Sequence, residues 1–458
     1  MNLKLRSMVA LAFSSALMMG VNAHADSTRD LVQALVSKGV LTEEEGALLT
    51  KGRAEEMDVQ KKKEKSFSTS KVNIRGYVQM RNTTMLGGDE GINLWSDRSV
   101  GDDKSIGNDK NFLIRRARVI IFGDVGERLS YYIQPDFASS AGTTGNIAQL
   151  RDVYGDVYLT KDRVHRIRAG QSKVPYGFEN LQSSQNRLAL DRADALNSAV
   201  RDERDLGLFY YYTPTDVQEL FTEIGKLGLK HSGNYGQFAF GMYNGQGANR
   251  GDQNDNYHFV SRYTHPWKTE SGQIYEVGIQ GYRGQYVSST SAYRRGGNAA
   301  STVAPTLANN RGIEDERVAL SFMMYPQPFG LQGEWTWGNT PGLDVASNRI
   351  EKKSLNGGYL QAMYKIDNFQ FFDTNGTLIP FVRWQYFDGY NKAETNSPEN
   401  HVNDWEIGAE WQIAPEVELV AYYHKMKRNN LVTGNLAGRE DYKSFDADAL
   451  RVQLQYNF

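Results

Sequence analysis

Arginine is the residue of this chain that can do chemistry by its spacing. Arg115-Arg-Ala-Arg118 sits in a run where side chains alternate, so Arg116 and Arg118 fall opposite Leu113, Ala117, Val119 and Ile121. The same alternation puts Arg75, Arg81, Lys226, Lys230, Arg262, Arg317, Arg383 and Arg451 on the polar face of their own segments. Guanidinium groups present planar forks of donors that match phosphate-like oxygens, so a row of them binds and hands on oxyanions without a covalent step or a cofactor. Asp136, Asp152, Asp156, Glu276, Glu334, Glu406, Glu410 and Glu418 share that face. Pairing of the arginines with these acids is the competing arrangement, one that keeps the interior wet and stiff without selecting anions.

Catalytic chemistry has no comparable support. There is no G-x-S-x-G elbow, and His165, His231, His258, His265, His401 and His424 are scattered, each better placed as a loop or interface residue than as a base. With no cysteine, disulfides, thiolate metal sites and covalent haem are excluded. A net charge of −2 gives no basic field for nucleic acid.

The elements that must carry these arginines are strands. Leu450-Arg-Val-Gln-Leu-Gln-Tyr-Asn-Phe458 alternates strictly and ends on an aromatic, as a strand does between lipid and a wet interior. Val72 to Arg81 alternates likewise, and similar runs recur at 112–124, 128–138, 149–160, 164–172, 226–232, 235–243, 256–266, 273–284, 314–325, 330–338, 353–367, 376–388, 402–413, 416–428 and 447–458. Connections alternate between tight (125–128, 161–163, 326–330, 414–415) and long (84–111, 173–225, 285–313, 339–352, 429–446). The pattern predicts an all-β, transmembrane antiparallel barrel of about 16 strands over 71–458, short turns toward the periplasm and a constriction loop over about 173–225. Leu206 to Thr213 and Leu220 to Ile224 are also strand-like; they lie inside the long third loop or form an extra hairpin that raises the count to eighteen, and sixteen is adopted. Pro135 and Pro380 should mark bulges or weak pairing. The mean hydropathy of −0.57 suits a barrel whose wet and lipid faces average out, and 26 Tyr, 20 Phe and 7 Trp suit two aromatic girdles.

Residues 1–25 read as a secretory signal peptide: Lys4 and Arg6, an apolar run from Met8 to Gly20, then Ala23-His24-Ala25. Residues 26–70 read as a short helical periplasmic leader. Leu31, Leu35 and Val36, then Leu48 and Leu49, have helical spacing, and Gly39-Val-Leu-Thr42 with Glu45 three residues on is a turn and a capping box, before the charged Lys61-Lys-Lys-Glu-Lys65.

Arg115-Arg-Ala-Arg118, Gly170-Gln-Ser-Lys-Val-Pro-Tyr-Gly-Phe-Glu-Asn-Leu-Gln-Ser-Ser184, Arg204-Asp-Leu-Gly207, the terminal Tyr-Asn-Phe and Leu-Thr-Glu-Glu-Glu45 together resemble the phosphate-selective porins of the porin O and P type over essentially the whole mature chain. The resemblance implies a sixteen-stranded homotrimeric barrel in the Gram-negative outer membrane, set in lipid and lipopolysaccharide, with a third loop folded into the channel and arginines and lysines that conduct anions. Arg116 and Arg118 match lumen arginines on that resemblance, and Lys173 sits at the root of the constriction loop.

The expected function is passive diffusion of small anions such as phosphate, with Arg75, Arg116 and Arg118 on adjacent strands as the anion face, Lys173 at the loop root, and Arg187, Arg192 and Arg201 reinforcing them from the loop. Asp191, Asp194, Asp202, Glu203 and Asp205 are interleaved with those loop arginines. The alternative reading is therefore a general diffusion porin of weak or cationic selectivity. A barrel that scaffolds a periplasmic partner through its leader is the third class.

Overall fold

The computed structural model describes residues 27–68, 72–89, 94, 112–140, 146–294, 302–431 and 442–458. The signal-peptide segment 1–25 lies outside them. The chain forms two compact units, divided between Ser70 and Lys71.

The first unit is a helical hairpin, α1 (Ser27–Ser37) and α2 (Glu43–Ser68). The chain turns at Gly39, whose φ of +68° favours a residue without a Cβ. The capping box forms as read: the Thr42 amide donates to Glu45 Oε2 at 2.9 Å, and the Glu45 amide donates to Thr42 Oγ1 at 3.2 Å. The lysine-rich stretch continues α2 instead of leaving it, since α2 runs to Ser68.

The second unit is a closed barrel of sixteen antiparallel strands. They are β1 (Asn73–Gly88), β2 (Leu113–Val125), β3 (Leu129–Ser140), β4 (Asn146–Tyr158), β5 (His165–Lys173), β6 (Arg204–Tyr212), β7 (Phe238–Tyr243), β8 (His258–Lys268), β9 (Ile274–Tyr286), β10 (Ile313–Met324), β11 (Phe329–Asp344), β12 (Arg349–Tyr364), β13 (Thr374–Tyr390), β14 (Glu399–Ala414), β15 (Val417–Leu431) and β16 (Tyr442–Asn457). Each pairs with the next, and β16 returns to β1 with Tyr77 opposite Asn457 and Met80 opposite Leu454. Closure leaves no edge for lipid to meet. Ile279, Leu320, Leu360, Ile407 and Leu450 point outward and are exposed, whereas their neighbours Gln280, Gln361, Glu406 and Arg451 are buried inward. Trp267 stacks on Tyr275 (ring centroids 5.2 Å apart) beside the β8–β9 turn, and Trp335, Trp384, Tyr386 and Trp405 form a belt nearer the other rim.

Sixteen strands stand, but one is not where the periodicity put it. β6 is Arg204–Tyr212, inside the segment read as loop, and 226–232 is not a strand. The constriction loop therefore spans 174–203, not 173–225. Leu220 to Ile224 lies in a helix, Thr215–Lys226, which buries Val217, Phe221 and Ile224 at spacings of four and three. That helix stops at Gly228 (φ +64°): the Leu229 amide donates to Ile224 O at 3.2 Å and the Gly228 amide to Gly225 O at 3.1 Å, the double bond of a Schellman end. Lys226, expected in the lumen, is an exposed residue of its last turn. Pro135 sits at a register shift between β3 and β4 as expected. Pro380 pairs in register with Ala409, and the β12 ladder stops beside it at Phe381.

The bore is not uniformly wet. Met323, Tyr325, Met363, Ile379, Phe381 and Val420 face inward and form one buried apolar cluster with Phe178, Leu188 and Leu190 of the constriction loop and Val217, Phe221 and Ile224 of the helix. Burying a side chain of that size contributes about 1.5–3 kcal/mol.

A cationic cavity beside the constriction loop

Two short helices, α3 (Phe178–Leu181) and α4 (Asp194–Asn197), stiffen the constriction loop. The loop is fastened to the wall by the lumen charges. Asp191 takes Arg81 at 3.1 Å and Arg451 at 2.6 Å; Asp194 takes Arg428 at 3.2 Å; and Glu179 takes Arg383 at 3.0 Å. Arg317 donates to Ala195 O at 3.1 Å and Ser198 O at 3.0 Å, while Glu334 accepts the Glu179 amide at 2.7 Å. All these contacts lie on β10 to β16 and β1. Removing one partner of such a buried pair costs about 3–5 kcal/mol, so the loop is held against this wall.

On the opposite wall the arginines are ion-paired with carboxylates of the wall itself. Arg118 is oriented by Asp136 at 2.7 Å, Arg168 by both oxygens of Asp156 at 2.8 Å, and Arg204 by Asp152 at 2.9 Å. Their planes rest on an aromatic row. Arg75 lies 5.6 Å from the Phe122 ring, Tyr132 stacks on Tyr154 with centroids 5.1 Å apart, and the Arg168 guanidinium lies 3.7 Å above Tyr154. Packing fixes the planes of these guanidiniums before any solute arrives.

Arg75, Arg118, Arg168, Lys173 and Arg204, with the single carboxylate Asp152, line one cavity of about 320 Å³. Tyr132, Gln134, Tyr154, Leu181, the stretch Ser183 to Asn186 and the stretch His231 to Tyr235 complete it. Lys173 Nζ donates to Leu181 O at 2.9 Å and Gln182 O at 2.7 Å, which ties the loop root to the cavity floor. Arg168 Nη1 is buried and has no hydrogen-bond partner among the described residues. Glu203 in the loop balances part of this charge: burial pushes its carboxyl up, but Arg192, Arg204 and Arg151 together hold it well below the usual carboxylate range.

The sequence-predicted site residues separate into groups. Arg75, Arg118 and Lys173 meet in the cavity. Arg116 stands one step away, donating to Gln79 Oε1 at 2.9 Å, and Gln79 in turn reaches Ser184 O at 3.1 Å. Arg192 braces the loop from within, bonded to Glu203, Glu179 O and Gln182 O. Arg187 donates to Leu190 O at 3.2 Å inside the loop, and Arg201 packs against Gly247; neither lines the cavity. Arg168, Arg204 and the tyrosines were missed. On β5 the signal was Ile167 and Ala169 on one face with Arg166 and Arg168 on the other, masked by polar Gln171 and Ser172.

Solved structures to which the chain is similar include the outer membrane channel DcaP of Acinetobacter baumannii, 14% identical with a TM-score of 0.48 over 85% of this chain and 98% of that one. Salmonella typhi OmpF in complex with daunomycin is 13% identical with a TM-score of 0.49 over 85% and 98%. An anion-selective porin from Comamonas acidovorans is 13% identical with a TM-score of 0.45 over 85% and 100%. No curated protein matches the sequence. The family model for phosphate-selective porin O and P matches residues 91–458, nearly the whole barrel. The chain therefore belongs to the phosphate-selective porin O and P family and is an outer-membrane porin.

Proposed function

We propose that this porin passes small anions, phosphate or similar oxyanions, along the wall formed by β1 to β6. The observation that carries this reading is the make-up of the cavity lining, five basic residues, four of them arginine, to one carboxylate. In a confined space of low dielectric, fixed guanidiniums attract an oxyanion far more than the same groups do in bulk water. Asp136, Asp152 and Asp156 orient the guanidiniums that line the cavity. On the same reading, export follows cleavage of residues 1–25, the 26–70 hairpin lies in the periplasm, and the porin assembles as a homotrimer among outer-membrane lipid and lipopolysaccharide.

Phosphate added to a planar bilayer carrying chloride current tests the oxyanion part. Block at millimolar phosphate or below supports a site in this cavity, and chloride current indifferent to phosphate removes it. A second reading, a general diffusion porin, is favoured by one observation: on the β10 to β1 wall, Asp191, Asp194 and Glu179 already neutralise Arg81, Arg451, Arg428 and Arg383.

A further inference from the structure

Among the even-to-odd connections, which lie at the periplasmic end, the one between β6 and β7 stands out. It runs from residue 213 to 237 and contains α5 (Thr215–Lys226), whereas β2–β3 and β14–β15 are joined by two or three residues. We propose that this connection is a second constriction element, entering the bore from the periplasmic end, and that Lys230 is the positioning residue that holds it across the opening. The proposal rests on the porin reading, not on anion preference.

Lys230 belongs to a segment leaving β6, yet its ammonium lies 2.7 Å from Glu410 of β14 and 3.3 Å from Glu418 of β15. Those strands are on the far side of the barrel in the order of pairing. The segment therefore crosses the lumen. Burial alone would push the lysine toward neutrality, but the two carboxylates outweigh it and raise its pKa, so the latch is charged. On its upper side Lys230 O accepts Gln182 Nε2 at 2.8 Å, which joins it to the constriction loop.

Both ends of the crossing are also fixed. Leu229 is buried in the same apolar cluster as Phe221, Ile224 and Phe178. Beyond the crossing, Asn234 Oδ1 accepts from Thr213 Oγ1 at 3.0 Å and from the Gly236 amide at 3.1 Å, and Arg262 donates to Gly236 O at 3.2 Å.

The consequence is a divided bore. α5 and the constriction loop fill the side next to β9, β10, β12, β13 and β15. His231, Ser232 and Tyr235 form the inner lip of the cationic cavity. A cavity of about 730 Å³ at the periplasmic mouth shares His231 and Asn186 with it. Solute leaving the cationic cavity passes this lip.

Single-channel conductance of the full-length porin tests the latch. K230M is expected to raise conductance about twofold or more and K230R to restore the wild-type value, because pore width at the narrowest point sets current. Wild-type conductance in K230M, or a rise of the same size in K230R, overturns the role of the Lys230 charge. The chain has no cysteine, so S232C offers one thiol at the lip and an independent test should K230M fail to assemble. An anionic methanethiosulfonate reagent added from the periplasmic side is expected to reduce its current. Current unaffected by that reagent overturns the place of the segment in the path. Both readouts are conductances and are separate from the sign of ion selectivity.

Discussion

Arg451 Nη1 lies 2.6 Å from Asp191 Oδ2, joining the last strand of the barrel to a loop 260 positions earlier in the chain. Asp191 also takes Arg81 of β1, so one carboxylate closes the loop onto both strands that flank the barrel seam. Asp191→Asn should leave two buried guanidiniums short of a partner, at a cost of about 3–5 kcal/mol. Detergent-solubilised barrel is expected to melt lower, and channel recordings are expected to show a larger and noisier conductance. Unchanged melting and conductance would mean that the loop is held without this carboxylate.

Charge reversal on β2 tests the anion wall. Arg118 lines the cavity and Arg116 supports it through Gln79. Arg116→Glu combined with Arg118→Glu should abolish or reverse the anion preference while the barrel still assembles. Retained selectivity in an assembled double mutant would take these two arginines out of the path.

Acidification should act through His231. Its Nδ1 accepts the Gly233 amide at 2.9 Å, and burial lowers its pKa from the ordinary 6.5, with Glu276 opposing weakly. The ring is therefore neutral at pH 7. Protonation below the ordinary value adds a charge beside a cavity that already holds Arg75, Lys173 and Arg204. Anion preference is expected to rise as pH falls, and His231→Asn to flatten that dependence. The stability sign is opposite. Because the folded-state value lies below the unfolded one, the contribution of the neutral ring is complete above about 6.5 and is lost as pH drops toward the folded value. An equal pH slope in the mutant would assign the effect elsewhere.

In the leader, Thr42→Ala removes the cap of α2 and should weaken its first turn by about 1 kcal/mol. Faster amide exchange confined to the start of α2 in the full-length protein is the expected readout. Glu45, held below its ordinary value first by the Thr42 backbone hydrogen bond, should give the same loosening as pH falls through the carboxylate range. Exchange insensitive to both changes would show that the capping box contributes nothing.

Much of the barrel was legible because its face pattern is strong. Arg81, Arg116, Arg262, Arg317, Arg383 and Arg451 were placed inward from alternation alone, and all are fully buried. At Leu206 to Thr213 the strand character was legible, but Tyr210, Tyr211 and Tyr212 give both faces the same character, so alternation could not tell a barrel strand from a hairpin or a piece of the loop. Alternation failed at 226–232, where Leu227 and Leu229 between Lys226 and Lys230 mimic a strand although Gly228 is ending a helix. The site was half legible for a different reason. Which wall stays open depends on where Asp191, Asp194 and Glu179 land, and those contacts reach across as many as 260 residues. Local periodicity carries no information about them.

The zero-current potential of the purified porin under a potassium chloride gradient tests the central claim most directly. A potential of anionic sign is expected, since the cavity lining carries four arginines and a lysine to one carboxylate. A potential near zero, or of cationic sign, would contradict an anion-conducting wall and leave a general diffusion porin.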